Sequence, residues 1–366
     1  MRRSSTTRGA AIVAVATLAL AACSNGSPDP APTGGATGGT TEAPGGGTTD
    51  PTTPSEETDA PEGEAVTLSL AHSYATNHPH HTCGAVLVQE QVAEANVGLE
   101  IEIFPDSSLG GHADRFALVV SGDIDIDIQG PSEMSSTYAP VGILDAAYAF
   151  DGPDHLFGFY DTEVGEELKA NILDATGARV LTPWYFGMRH FTANVPLNTP
   201  EDFQGLRMRF PNTPQYLQNA EALGASPVAV AFEELYISLQ QGVVDGQENP
   251  IPNIATMNLP EVQSHLSLTG HMVGIHMIVM NEDRWSSLSA DQQETLQTVF
   301  EDVRDQNREC IEQSETETVE QWRAEGTMEV IEPDLASFRE SAEEFFTNEL
   351  EGDTLELYQA IRDQAS

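Results

Sequence analysis

Arg189, Arg207 and Arg209 fall within 21 residues of a chain that carries 15 Lys and Arg against 58 Asp and Glu. A guanidinium presents a planar fork that holds a carboxylate in two parallel hydrogen bonds. At a net charge of -43 the long-range field of the chain repels anions. Capture of an anion must therefore rest on short-range, desolvated contacts. Residues 205–210 read as a short strand, and Thr213-Pro214 reads as the cap and first turn of a helix. That helix start would add free N–H groups and a positive dipole end. Residues 207 and 209 alternate along the strand and are expected to face opposite ways. The competing reading pairs these arginines with surface Asp or Glu, and it suits Arg207 best.

Other chemistries find less support. The groups His78, His80, His81 and His265, His271, His276 match no strict ligand spacing, and zinc needs three or four converging ligands, so no metal is expected. The chain has no Gly-x-Ser-x-Gly elbow, no His-Glu-x-x-His and no Walker-type loop. Paired acids carry no weight at this composition, so neither an enzyme nor a cofactor is expected. The acidic surface also excludes nucleic acid as a partner. Trp184-Tyr185-Phe186 either line a cleft or fill a core.

Positioning these residues requires an α/β scaffold. Residues 66–72 and 99–104 alternate as strands, and residues 123–128 read as a third. Helices are expected over 80–95 and 112–121. This β-α-β-α-β order opens a mostly parallel sheet, in which ligands bind beyond the carboxyl ends of the strands. Those ends carry residues 74–78, 107–112 and 129–132. A second α/β unit follows. Residues 178–181 and 189–193 look extended, helices lie over 213–224 and 232–242, and a strand over 243–245 turns at Gly246. Residues 290–325 lack Gly and Pro and support one helix about 50 Å long, enough to bridge two domains.

The N-terminus is a targeting segment. Arg2, Arg3 and Arg8 precede an apolar run over 10–19 that is too short to span a bilayer. Leu20-Ala21-Ala22-Cys23 resembles the lipobox of bacterial lipoproteins, in which cleavage leaves the cysteine as a diacylated N-terminus. Two acyl chains would hold the protein stably at the membrane, on the outer face of the cytoplasmic membrane. Residues 24–65 hold no Leu, Ile, Val, Met or aromatic residue and read as a disordered tether reaching roughly 35 Å. Cys83 and Cys310 then lie in a compartment where disulfides persist and are expected to pair, with two buried thiols as the alternative.

Three runs make the chain recognisable: Gly224-Ala225-Ser226-Pro227, Phe232-Glu233-Glu234-Leu235-Tyr236 and Asp245-Gly246-Gln247-Glu248-Asn249-Pro250. With Gly187-Met188-Arg189 and Gly205 to Arg209, they resemble the solute-binding proteins of TRAP transporters, the tripartite ATP-independent periplasmic type. The likeness covers residue 66 to the C-terminus. It implies a two-domain Venus-flytrap fold with a long helix crossing both domains, made of residues 66–187 plus about 275–314 and residues 188–274 plus about 315–366. It implies capture of a small organic acid by a monomer, which hands it to integral membrane subunits. In the resemblance Arg209 grips the ligand carboxylate, Arg189 is a second contact, Asn249 hydrogen-bonds the ligand and Phe232 packs on it. The family pattern lapses over residues 129–150, so first-domain contacts are drawn from position: His78, His112, Gln129, Trp184 and His271. A binding protein for an ATP-driven importer is the alternative.

Overall fold

The computed structural model describes residues 65–364. The leader, the lipobox with Cys23 and the tether, save residue 65, lie outside the described residues. Nine strands form one sheet: β1 (Val66–Ala71), β2 (Leu99–Phe104), β3 (Ile126–Gln129), β4 (Ala178–Ala193), β5 (Arg207–Phe210), β6 (Ser226–Ala229), β7 (Gly246–Pro250), β8 (His265–Asn281) and β9 (Glu329–Ile331). Their order is β2-β1-β3-β8-β4-β7-β5-β6, with β9 against β8. β1 pairs in parallel with β2 and β3, and β5 pairs in parallel with β6 and β7. Between these two parallel triplets, β4 and β8 run antiparallel to each other.

Each triplet makes the sheet of one lobe, and β4 and β8 belong to both. At 16 and 17 residues they run about 55 Å. β2 shows why the outer strands are legible: Leu99 and Ile101 are buried while Glu100 and Glu102 face solvent. β8 is buried almost throughout, and β4 likewise. A strand covered on both faces has no alternation to read, so β4 was expected only as two ends and β8 not at all.

The strand expected over 243–245 is displaced. The N–H groups of Val243 and Val244 turn back to the Ser238 carbonyl and close the preceding helix. Gly246, expected as a turn, instead begins β7. A Cβ there would lie 2.5 Å from the Thr192 carbonyl oxygen, so only glycine lets β7 close on β4. The third strand likewise starts later than expected, because Asp123 and Ile124 cap the helix His112–Ser121 through the Leu118 carbonyl.

β4 and β8 change register between Tyr185 and Gly187. Gly187 has φ +117, a conformation side chains resist, and Gly274 stands opposite it. The bridging helix Ala290–Glu325 crosses here. It starts in a Ser289/Gln292 capping box and stops at Gly326 in the left-handed region. Its Leu296, Val299, Phe300 and Val303 join the core of the first lobe, Ile311 the central cluster and Trp322 that of the second. Cys310 on this helix is disulfide-bonded to Cys83. The C-terminal helix Gly352–Arg362 packs on residues 139–145, which lie in the other domain by the boundaries read from sequence.

Candidate functional site

Between the lobes lies a cavity of about 350 Å³. Its second-lobe wall begins with β5. Arg207 points outward and is ion-paired with Asp245, Nη2 to Oδ1 at 2.7 Å. Arg209, two residues on, is 2 % exposed and lines the cavity. Its Nε donates to the Val230 carbonyl, while Nη1 has no partner. Burial pulls its pKa down to about 10, so it remains charged at neutral pH. The helix Pro214–Ala222 starts beside it. Thr213 does not cap that helix as expected. Its Oγ1 makes no hydrogen bond although buried, and Thr213 also lines the cavity. One wall thus presents a buried guanidinium N–H and a buried hydroxyl, both without protein partners. A buried polar group normally finds a partner, and a carboxylate could accept from both.

Arg189 lines the same cavity but is differently placed. Its Nε and Nη2 donate to the two carboxylate oxygens of Glu248, at 2.5 and 2.7 Å. Burial disfavours charge on Glu248, yet Arg189 and His271 hold it below the ordinary glutamate range. His271 lies off the cavity. It stacks on Phe191 and approaches Glu248 with Nε2 at 3.4 Å. Asn249 lines the cavity and belongs to a buried chain of amides: Asn253 donates to Asn249, and Asn249 to Gln247. Phe232 lines it as well.

The first-lobe wall comes from loops at strand ends and from the helix start and short helical turns beyond them. Tyr74, His112, Gly130, Ser132, Glu133 and Asp145 line it. Gln129 stands behind, donating through Nε2 to the His112 carbonyl, with Oε1 3.2 Å from His112 Nδ1. His78 is also behind the wall. Its Nε2 lies 2.8 Å from Asn253 Oδ1, which joins the two lobes, and its ring stacks on Tyr74. Trp184 is a core residue: its ring is fully buried beside Phe300, and Nε1 donates to the Phe300 carbonyl. Burial lowers the pKa of His112 and His276, and takes His78 down to about 3. Burial pushes Asp145 up to about 7, although Ser132 donates to it from both N and Oγ.

Of the residues expected at the site, the structure brings Arg189, Arg209, Asn249, Phe232 and His112 to the cavity surface. It sets His78, Gln129, His271 and Trp184 behind it. Sequence reasoning missed Glu133, Asp145, Tyr216, Asn253 and His276. Asn253 had a usable signal, since it stands four residues after Asn249. Glu133 and Asp145 sit on short helical turns and His276 on the unrecognised β8, where no pattern marks a direction, while Tyr216 lies in the first turns of the expected helix Pro214–Ala222.

The profile of the bacterial extracellular solute-binding proteins, family 7, matches residues 70–352. The sialic acid-binding periplasmic protein SiaP of Vibrio cholerae is 33% identical over 72% of this chain and 82% of its own length. The C4-dicarboxylate-binding periplasmic protein DctP of Rhodobacter capsulatus is 29% identical over 74% of this chain and 81% of its own. A TRAP periplasmic solute-binding protein of Roseobacter denitrificans, solved with bound L-galactonate, superposes with a TM-score of 0.76 at 28% identity, over 82% of this chain and 99% of that one. The fold shared with it is the two-domain form of a periplasmic binding protein. The chain therefore belongs to the family 7 extracellular solute-binding proteins, the solute-binding proteins of TRAP transporters.

Proposed function

We propose that the protein is the extracytoplasmic subunit that captures a small organic carboxylate through Arg209 and delivers it to the membrane subunits of a TRAP transporter. The observation that carries this reading is the pair of unpartnered, buried donors, Arg209 Nη1 and Thr213 Oγ1, on one wall of the cavity. The relatives' ligands, sialic acid, C4-dicarboxylates and L-galactonate, all bear a carboxylate. Asn249 hydrogen-bonds the bound acid and Phe232 packs on it. Arg189 shares its charge with Glu248 and adds a weaker second contact. His78 and Gln129 act indirectly, by holding Asn253 and His112, and His271 by holding Glu248. Trp184 stays in the core. The lobes, read as residues 66–187 with about 275–314 and 188–274 with about 315–366, close on the ligand because the closed form alone makes contacts from both walls. No chemistry is performed on the ligand, and the protein acts as a monomer.

Arg209→Ala should weaken binding of every carboxylate ligand by at least about 2–4 kcal/mol, since the ligand's buried charge loses its partner. Isothermal calorimetry on a panel of organic acids measures this, and an unchanged Kd would refute the role. We further propose that Cys23 carries the lipid anchor. The mass of the N-terminal peptide from membranes should include a diacylglyceryl group, and an unmodified Cys23 there would exclude it.

A further inference from the structure

Resting on the carboxylate reading, we infer that the ligand is a zwitterion, with a cationic nitrogen held by Glu133 opposite the carboxylate held by Arg209. The two charged groups line one cavity and are left unmatched by the protein. Arg209 Nη1 is buried without a partner. The Glu133 carboxylate makes no hydrogen bond or ion pair among the described residues, although its charge acts on Arg209 across the cavity. No ion pair joins them directly, and the cavity that both line has about 350 Å³ for a molecule.

A second carboxylate would find no unpaired cation on the cavity surface at the Glu133 end, since Arg115 lies behind the wall and is paired with Asp127. Arg189 is already neutralised by Glu248. The two histidines of that wall, His112 and His276, are kept neutral by burial. Asp114 and Glu233 add further acids along the rim. A dicarboxylate would therefore set its second charge against carboxylates in a partly desolvated space, where like charges repel strongly. A cationic nitrogen meets the opposite situation. It gains Glu133, and it lies among the rings of Tyr74, Phe186 and Phe232, whose faces attract a cation. An amino acid or a betaine has both required ends. Glu133 is then a specificity-determining residue, because it selects among acids that Arg209 accepts equally.

The test uses named probes of two kinds on the purified full chain. Zwitterions are 4-aminobutyrate, 5-aminovalerate, L-proline and glycine betaine; anions are succinate, glutarate and D-galactonate. Thermal shift and calorimetry are run on the wild type, Glu133→Gln and Arg209→Ala. At least one zwitterion should raise Tm and bind more tightly than the dicarboxylate of matching length. Glu133→Gln should weaken that zwitterion by roughly tenfold or more while tightening or sparing the dicarboxylates. The inference is overturned if no zwitterion shifts Tm, if the anions bind more tightly, or if Glu133→Gln leaves the preference unchanged. In those cases Arg209→Ala still reports on the carboxylate reading. If anion binding disappears in that variant, the Arg209 clamp stands without the zwitterion; if binding persists, the clamp itself fails.

Discussion

The two walls of the cavity are built by different means. The second-lobe wall hangs on the sheet: Arg209 on β5 and Arg189 on β4 are paired with neighbouring strands on both sides, and Asn249 on β7 is paired with β4. The first-lobe wall hangs on loops and short helical turns, and side chains hold it. Arg115 donates to the Gly110 carbonyl, Gln129 holds His112, Asp145 holds Ser132 and His78 reaches Asn253. A ladder accepts many side chains without moving, whereas a loop held by side chains changes shape when one is replaced. The sheet wall thus suits the feature common to all ligands, and the loop wall suits what distinguishes them.

Within the sheet wall the two arginines divide again, and this division gives the largest expected effects. Arg189→Ala leaves Glu248 buried with its main partner gone, which costs about 3–5 kcal/mol of stability in chemical denaturation. Arg209→Ala removes a buried charge that has no ion-pair partner among the described residues, only the Val230 carbonyl on Nε. Its stability should hold or rise, while ligand binding falls by the amount given above. If both variants lose the same stability, the distinction between a structural and a ligand-facing arginine is wrong.

The loop wall has its own brace. Cys83 follows the His78–His81 segment and is bonded to Cys310 on the bridging helix, 227 residues away. Closing so long a loop in the unfolded chain predicts that reduction, or Cys83→Ser with Cys310→Ser, costs about 2–5 kcal/mol. Intact mass with and without reductant, differing by two protons, checks the bond itself. Equal denaturation midpoints in both states would mean that the segment is held by its hydrogen bonds alone.

The same contrast governs what could be read in advance. Arg207 and Arg209 were separable because a strand alternates, and the run from Asp245 to Pro250 was recognisable by its resemblance to a known family; of that run, Gly246 has a visible structural reason, the close approach of β7 to β4. The outer strands and the 36-residue helix were legible from period and from the lack of Gly and Pro. β8 was not, since burial on both faces erases the pattern. Glu133 and Asp145 were lost among 58 acids; only their position at the cavity sets them apart. The neutralisation of Arg189 was hidden as well, because Glu248 belongs to a run recognised for other reasons and its side-chain direction depends on pairing across β4 and β7.

Where the two walls join, Glu315 of the bridging helix accepts from the Met188 N–H and the Tyr185 hydroxyl, at 2.7 and 3.2 Å. Burial pushes its pKa from the ordinary 4.5 up to about 8. The folded state therefore holds this proton more tightly than the unfolded chain. The resulting stabilisation is full below pH 4.5 and is lost as pH rises through about 8. Glu315→Gln keeps an acceptor for Met188 and cannot ionise, so its advantage over the wild type should grow between pH 6 and 9 in urea titrations. Parallel pH profiles for the two proteins would remove Glu315 from the junction between the walls.

The smallest effect belongs to Arg207, and it isolates the geometry from the chemistry. Arg207 has the same side chain as Arg209, two residues away on the same strand, yet it is exposed and pairs with Asp245 at the surface. A solvent-exposed ion pair of this kind is screened and contributes little. Arg207→Ala should leave ligand affinity unchanged by calorimetry, at both low and high salt. Weakened binding that recovers at no salt concentration would mean that β5 transmits strain from one face to the other. The separation of Arg209 from its neighbour would then owe less to the pleat of the strand than to the loops around it.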